Sequence, residues 1–174
     1  VCSWRLIGFY RKDKDIKAAD RAFLVTFFGA SLMLAGIVLI YISYGTLDIA
    51  FLKGKTISNA AALLLLAGII SKSAQLPFQT WLPDAGVAPT PVTALLHAAV
   101  LVKIGVYVFA RLFGATFFTS VDFTATAIAI SSITIIVGGA AALVENNIKR
   151  ILAYSTISQL GYILLVLAIC DGIS

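Results

Sequence analysis

Charged residues divide this chain into apolar blocks long enough to cross a bilayer. Residues 1–10 (VCSWRLIGFY) read as the end of a helix, and 11–21 (RKDKDIKAADR) as a loop with five basic and three acidic side chains. No charge follows until Asp48, so 22–44 is predicted as a tilted span, since a crossing needs about 20 apolar residues. Lys53 and Lys55 mark the next turn, and a second span is predicted at 57–75, ending around Ser71-Lys72-Ser73. Spans at 92–113, 123–144 and 151–170 follow, the last two separated by Glu145-Asn146-Asn147 and Lys149-Arg150. Five spans and the initial stub predict an all-α, polytopic transmembrane helix bundle, a single domain over 1–174.

Residues 76–91 (LPFQTWLPDAGVAPTP) interrupt the pattern. All four prolines fall here, at Pro77, Pro83, Pro89 and Pro91. Proline removes a backbone donor and its ring clashes with the preceding turn, so no continuous helix passes through. A broken helix at membrane depth survives where protein buries it or where it lines a wet cavity. The expectation is a discontinuous, proline-broken helix followed by a short re-entrant segment. Pro91 suits the first turn of the next helix, with Thr90 as N-cap. Trp81 is expected near a membrane interface, where aromatic belts sit. Gly138-Gly139, inside an apolar run, reads as close helix packing.

Composition works by exclusion. Apolar residues make up 60% and charged residues 12%, against about 45–50% and about 25% in soluble domains. Mean hydropathy is +1.01. A soluble enzyme, a disordered chain and a nucleic-acid-binding domain are excluded despite the net charge of +5. The chain does not begin with Met and shows no signal peptide, so it reads as a fragment of a longer membrane protein. The segments 11–21, 76–91 and 145–150 are expected on one face. They hold seven Lys/Arg, against Lys53, Lys55 and Arg111 opposite, which places 11–21 in the cytoplasm.

The stock of reactive groups is small: one His, one Glu and seven Asp. Cys2 and Cys170 lie near opposite ends with no CxxC or metal-ligand spacing, so no disulfide, metal or resident cofactor is indicated. No glycine-rich phosphate loop occurs either. Lys72 stands where an apolar run meets the proline-rich break. A charge near mid-membrane costs several kcal/mol and usually marks a functional path; the alternative is a lysine snorkelling to the headgroups. Lys103, eleven residues into a regular helix from Val92, would lie about 16 Å from its start, too deep to snorkel comfortably. His97 can pass protons through either ring nitrogen, or simply hydrogen-bond a carbonyl at the adjacent break. Six residues turn a helix by about 240°, so His97 and Lys103 would communicate through water rather than by contact. Ser155, Ser158, Gln159 and Tyr162 recur at i, i+3, i+4 and i+7 and form a polar stripe expected to face the bundle. It reads either as helix–helix glue or as the lining of a hydrated path. Ser131, Ser132 and Thr134 take the glue reading.

These motifs carry a resemblance. SKSAQLPFQTWLPDAGVAPTPVTALLHAAVLVKIGVYVFAR, residues 71–111, resembles the broken seventh helix and the eighth helix of antiporter-like subunits. Such subunits occur in respiratory complex I, Mrp-type sodium/proton antiporters and membrane-bound hydrogenases. NIKRILAYSTISQLGYI, residues 147–163, is similar to the tenth helix of that family, and VCSWRLIGFY to the end of the fifth. The resemblance implies proton or Na⁺/H⁺ translocation through inverted five-helix repeats. It implies that Lys72 is the broken-helix lysine, partnered by a Glu expected a few residues before Val1. It also implies that His97 and Lys103 carry protons onward. Redox chemistry with NADH and quinone, or with hydrogenase partners, would then sit on other subunits. The partners implied are those membrane subunits, the lipid bilayer, H⁺ and Na⁺, and no nucleic acid. Complex I subunits of this type carry an Arg and an Asp in the sixth helix, where this chain reads Val25-Thr26-Phe27-Phe28-Gly29-Ala30. That departure, together with Lys103, leans toward the Mrp and hydrogenase-linked branch.

Three rivals stand beside this reading. A stand-alone secondary transporter also uses broken helices and midplane polar groups; solute binding without ion dependence would favour it. A quinone-binding redox subunit would need quinone-dependent labelling of this chain. A purely structural subunit would tolerate replacement of Lys72 and Lys103.

Overall fold

The computed structural model describes residues 2–96 and 101–173. Apolar blocks form the helices. α1 (Cys2–Ile7) leads into α2 (Asp13–Tyr44), then the short α3 (Ile49–Leu52) and α4 (Asn59–Lys72). After the break come α5 (Trp81–Asp84), a 3-10 turn (Ala85–Val87) and α6 (Thr90–Ala94). α7 (Lys103–Leu112), α8 (Val121–Val144) and α9 (Ile148–Ile173) complete the bundle. A two-residue parallel bridge, β1 (Lys55–Thr56) with β2 (Phe117–Phe118), ties two loops at one end and leaves the chain an all-α polytopic bundle. Among the described residues α2, α8 and α9 are long and apolar enough to cross a membrane, and α4 is a shorter apolar helix.

The charged segment 11–21 is not a loop. Helix α2 begins at Asp13 and runs unbroken through it. Asp13 and Asp15 in the first turn suit the positive end of the helix dipole, and Lys and Ala are good helix formers. Within 92–113 the described residues form the end of α6, a short π turn at 95–96, a turn at 101–102 and then α7, so Lys103 is the first residue of the α-helix that carries it. Helix α6 starts one residue earlier than expected: Pro89 is the N-cap, Thr90 is already helical, and Pro91 keeps its first-turn place.

Glycines set the helix spacing. A Cβ at Gly29 of α2 would overlap the Ser71 side chain of α4, and one at Gly36 would lie 3.1 Å from the Ala61 carbonyl. On the other side, a Cβ at Gly138 of α8 would lie 3.2 Å from the Ser158 nitrogen of α9. Small residues thus let backbones approach closely, as membrane helices require, and Gly138 packs as its sequence context predicts. Two apolar clusters result. One holds Leu65, Leu66, Ile69, Phe109, Phe113 and Phe123, with the Phe113 and Phe123 ring centres 4.6 Å apart. The other gathers Ile7, Ala74, Trp81, Leu82, Leu96 and Ile157 around the break.

The three basic-face segments do meet at one end. Arg21 of α2 pairs with Asp84 of α5, and Arg150 of α9 reaches both Asp84, at 3.9 Å, and Glu145, at 2.9 Å. At the opposite end the Gly54 N–H donates to the Thr116 carbonyl at 2.8 Å, and Tyr44 donates its hydroxyl to the Thr56 carbonyl.

Candidate functional site

Helix α4 stops at Lys72, five residues before Pro77. In an unbroken helix residue 77 would donate its N–H to the Ser73 carbonyl; proline has none to give. The chain turns at Ala74, which sits at φ 50°, a region that residues other than glycine seldom occupy. Surrounding side chains hold that conformation by replacing the lost helical bonds. Gln75 Nε2 donates to the Ser73 carbonyl at 3.1 Å and to the Ile157 carbonyl of α9 at 3.4 Å. Trp81 Nε1 donates to the Ser71 carbonyl at 3.0 Å. The Leu76 N–H donates to Thr134 Oγ1 of α8 at 3.2 Å. Four elements therefore satisfy one break, as a buried backbone requires.

This role explains two departures from expectation. Trp81 is 1% exposed and belongs to the inner core, so it does not serve an aromatic belt. Its indole N–H is spent on a carbonyl freed at the end of α4. Thr134 caps the break in addition to any helix–helix adhesion. Gln75 and Ser73, both 0% exposed, escaped the sequence reading. The available signal was a polar Ser-Ala-Gln run directly before Pro77, inside an otherwise apolar stretch.

The break forms a polar layer between the two apolar clusters. A Cβ at Gly105 of α7 would overlap Ser73 Oγ, and one at Gly161 of α9 would lie 3.4 Å from Gln75 Oε1 and from the Ser131 carbonyl. The small residues let α7 and α9 close on the layer. Ser73 Oγ, Gln75 Oε1 and Gln79 Oε1 are buried with no hydrogen-bond partner among the described residues. Buried polar atoms of this kind are ordinarily satisfied, most often by ordered water once protein groups run out.

Lys72, the last residue of α4, is half-buried at the edge of this layer and makes no ion pair or hydrogen bond to the described residues. Lys103 lies two residues before Gly105, so the helix that bears it packs on the same junction. Its side chain is exposed in the described segment, where α7 begins and its buried positions start at Gly105. His97 lies outside the described residues. The α9 stripe is split between buried and exposed positions in the described segment. Ser158 is buried and donates to the Ile135 carbonyl at 3.2 Å, whereas Ser155, Gln159 and Tyr162 are exposed. Ser158 lies about 60° round the helix from Ser155, far enough to meet α8 while the others miss it.

The break is thus an internally satisfied interruption of a helix, with a lysine at its edge, inside a bundle of apolar spans. The family model described as "NADH:quinone oxidoreductase/Mrp antiporter, TM" matches residues 1–174, and the chain belongs to that family. It is a multi-pass integral membrane protein. The chain is 44% identical to NADH-quinone oxidoreductase subunit L of Pseudomonas aeruginosa over 97% of its length, and 43% identical to that of Escherichia coli over the same share. It spans 29% of the length of each. Among solved structures, a chain of the Mrp complex from Dietzia sp. DQ12-45-1b superposes with a TM-score of 0.84 at 34% identity, covering 97% of this chain and 19% of that one. A chain of an archaeal membrane-bound sulfane sulfur reductase gives 0.83 at 28% identity, covering 95% and 36%.

Proposed function

We propose that this segment forms the broken-helix part of a proton-translocating subunit in a complex I-like membrane assembly, with Lys72 as the group that loads and releases the proton. One observation carries the reading. Lys72 ends α4 beside a buried layer whose Ser73, Gln75 and Gln79 oxygens find no partner among the described residues. Such a layer recruits water, and water beside an amine supplies a path for protons.

The switch is electrostatic. An amine held away from bulk water changes charge readily when a carboxylate approaches or leaves. At 4 Å and an effective dielectric near 20 the pair is worth about 4 kcal/mol, a factor of about a thousand in proton occupancy. His97 and Lys103 would take the proton onward, with Lys103 meeting other parts of the full-length protein through its exposed side chain. This chain contributes no redox chemistry in this reading. Electron transfer belongs to partner subunits, and the site is one of a prokaryotic membrane complex.

The identity to subunit L supports the complex I side over the Mrp side toward which Lys103 and the sixth-helix departure lean. The likeness to the Mrp complex chain supports a second reading, cation/proton antiport on the same scaffold. Proton pumping by the full-length protein in inverted membrane vesicles tests both. Lys72→Met should abolish pumping while the complex still assembles. Normal pumping by assembled Lys72→Met protein overturns the proposal, and a strict dependence on Na⁺ moves it to the antiport reading.

A further inference from the structure

A basic cleft of about 440 Å³ opens at the end of the bundle where α2 and α9 begin. Lys14, Lys17, Arg21, Lys149 and Arg150 line it, and Asp84 is the one acidic lining residue. Lys14, Lys17 and Arg21 follow each other at i, i+3 and i+7, which puts them on one face of the first turns of α2. Asp84 is already engaged by Arg21 and Arg150, and Lys149 Nζ donates to the Ala88 carbonyl at 2.9 Å. Lys14 and Lys17 have no ion-pair partner among the described residues. The cleft therefore holds positive charge that the described residues leave without an ion-pair partner.

A second, apolar groove adjoins it. Thr93, Ala94, Ile148, Leu152 and Thr156 line this space of about 490 Å³ between α6 and α9, and Lys149 lines both cavities. Ile148, Leu152 and Thr156 succeed one another by single helical turns, so the groove descends about 12 Å from the charged end along α9. Ile148 and Leu152 are 73% and 59% exposed. Charge above and an apolar channel below match the two halves of a lipid.

We propose that cleft and groove together bind one anionic phospholipid, with its phosphate among Lys14, Lys17 and Lys149 and one acyl chain in the groove. Basic pockets between membrane helices at the positively charged face recognise phosphate headgroups in this way. The bound lipid would join α2, the segment after the break and α9, the same elements that Arg21, Asp84 and Arg150 tie together. The inference is independent of the role of Lys72.

Native mass spectrometry of the full-length protein, extracted from vesicles of phosphatidylglycerol mixed with phosphatidylcholine, tests it. Phosphatidylglycerol should be retained in preference to phosphatidylcholine. Each Lys→Gln change at 14, 17 or 149 should weaken retention about fivefold, and Lys→Arg should restore it. Asp84→Asn should strengthen retention, because it removes the one negative lining group; a loss of folding would act in the opposite direction. Leu152→Trp should fill the groove and reduce retention with every charge in place. Equal retention of the two lipids, no effect of the lysine changes, or weakened retention in Asp84→Asn overturns the proposal. Full displacement of the lipid by millimolar inorganic phosphate, or a cross-link from Lys17→Cys to a partner subunit in place of lipid, does the same.

Discussion

The Gln75 side-chain amide donates 3.1 Å to the Ser73 carbonyl, the acceptor that Pro77 leaves without a helical donor. The same amide reaches the Ile157 carbonyl at 3.4 Å, so one side chain closes the break and joins it to α9. Gln75→Leu removes both bonds at constant bulk and leaves the buried Ser73 carbonyl without its side-chain donor. It should destabilise the full-length protein by about 1–3 kcal/mol, seen as a lower thermal unfolding midpoint in detergent. An unchanged midpoint would mean that other donors take over these carbonyls.

Lys72→Arg separates charge from proton transfer. Arginine is permanently protonated and keeps the positive end of α4. If Lys72 loads and releases a proton, Lys72→Arg should pump as poorly as Lys72→Met. Retained pumping by Lys72→Arg would assign the lysine an electrostatic role only.

Gly29 and Ser71 hold α2 against α4 with no space between them. A methyl group at Gly29 must push the two helices apart, and overpacking of this kind costs about 1–3 kcal/mol. Because the Ser71 carbonyl is the acceptor for Trp81 Nε1, Gly29→Ala should also loosen the break. The expected signs are lower thermal stability and greater solvent exposure of Trp81 by fluorescence quenching. Gly45→Ala, at a site with open space around it but φ 69°, should cost only about 1 kcal/mol of backbone strain.

The end of the bundle that carries Lys14 should face the cytoplasm. With Cys2 and Cys170 replaced, Lys14→Cys should react with membrane-impermeant maleimide in inverted vesicles and be protected in intact cells. Labelling from outside intact cells would reverse the topology.

Some of this protein was legible residue by residue. The lengths of the apolar runs, the four prolines at the break and the position of Lys72 beside it depend on local sequence alone. A span must be apolar for its whole length, and proline disrupts whichever helix contains it. Gly138 was readable for the same reason, because a small residue in an apolar run marks close approach. The family resemblance drew on the same motifs and pointed to the same break.

Tertiary structure decided the rest. Thr134 meets the Leu76 N–H across 58 residues of chain, and Gln75 meets the Ile157 carbonyl across 82. No periodicity within one segment predicts which donor finds which freed carbonyl. The charged run 11–21 looked like a loop because its composition is polar, yet it continues α2, whose Ala18, Ala19 and Ala22 are buried in the cluster around the break. Local sequence likewise leaves open where Lys103 and the Ser155 stripe face. Both depend on where neighbouring helices begin and which face they cover, and that is settled only when glycines at 29, 105, 138 and 161 let the helices close on one another.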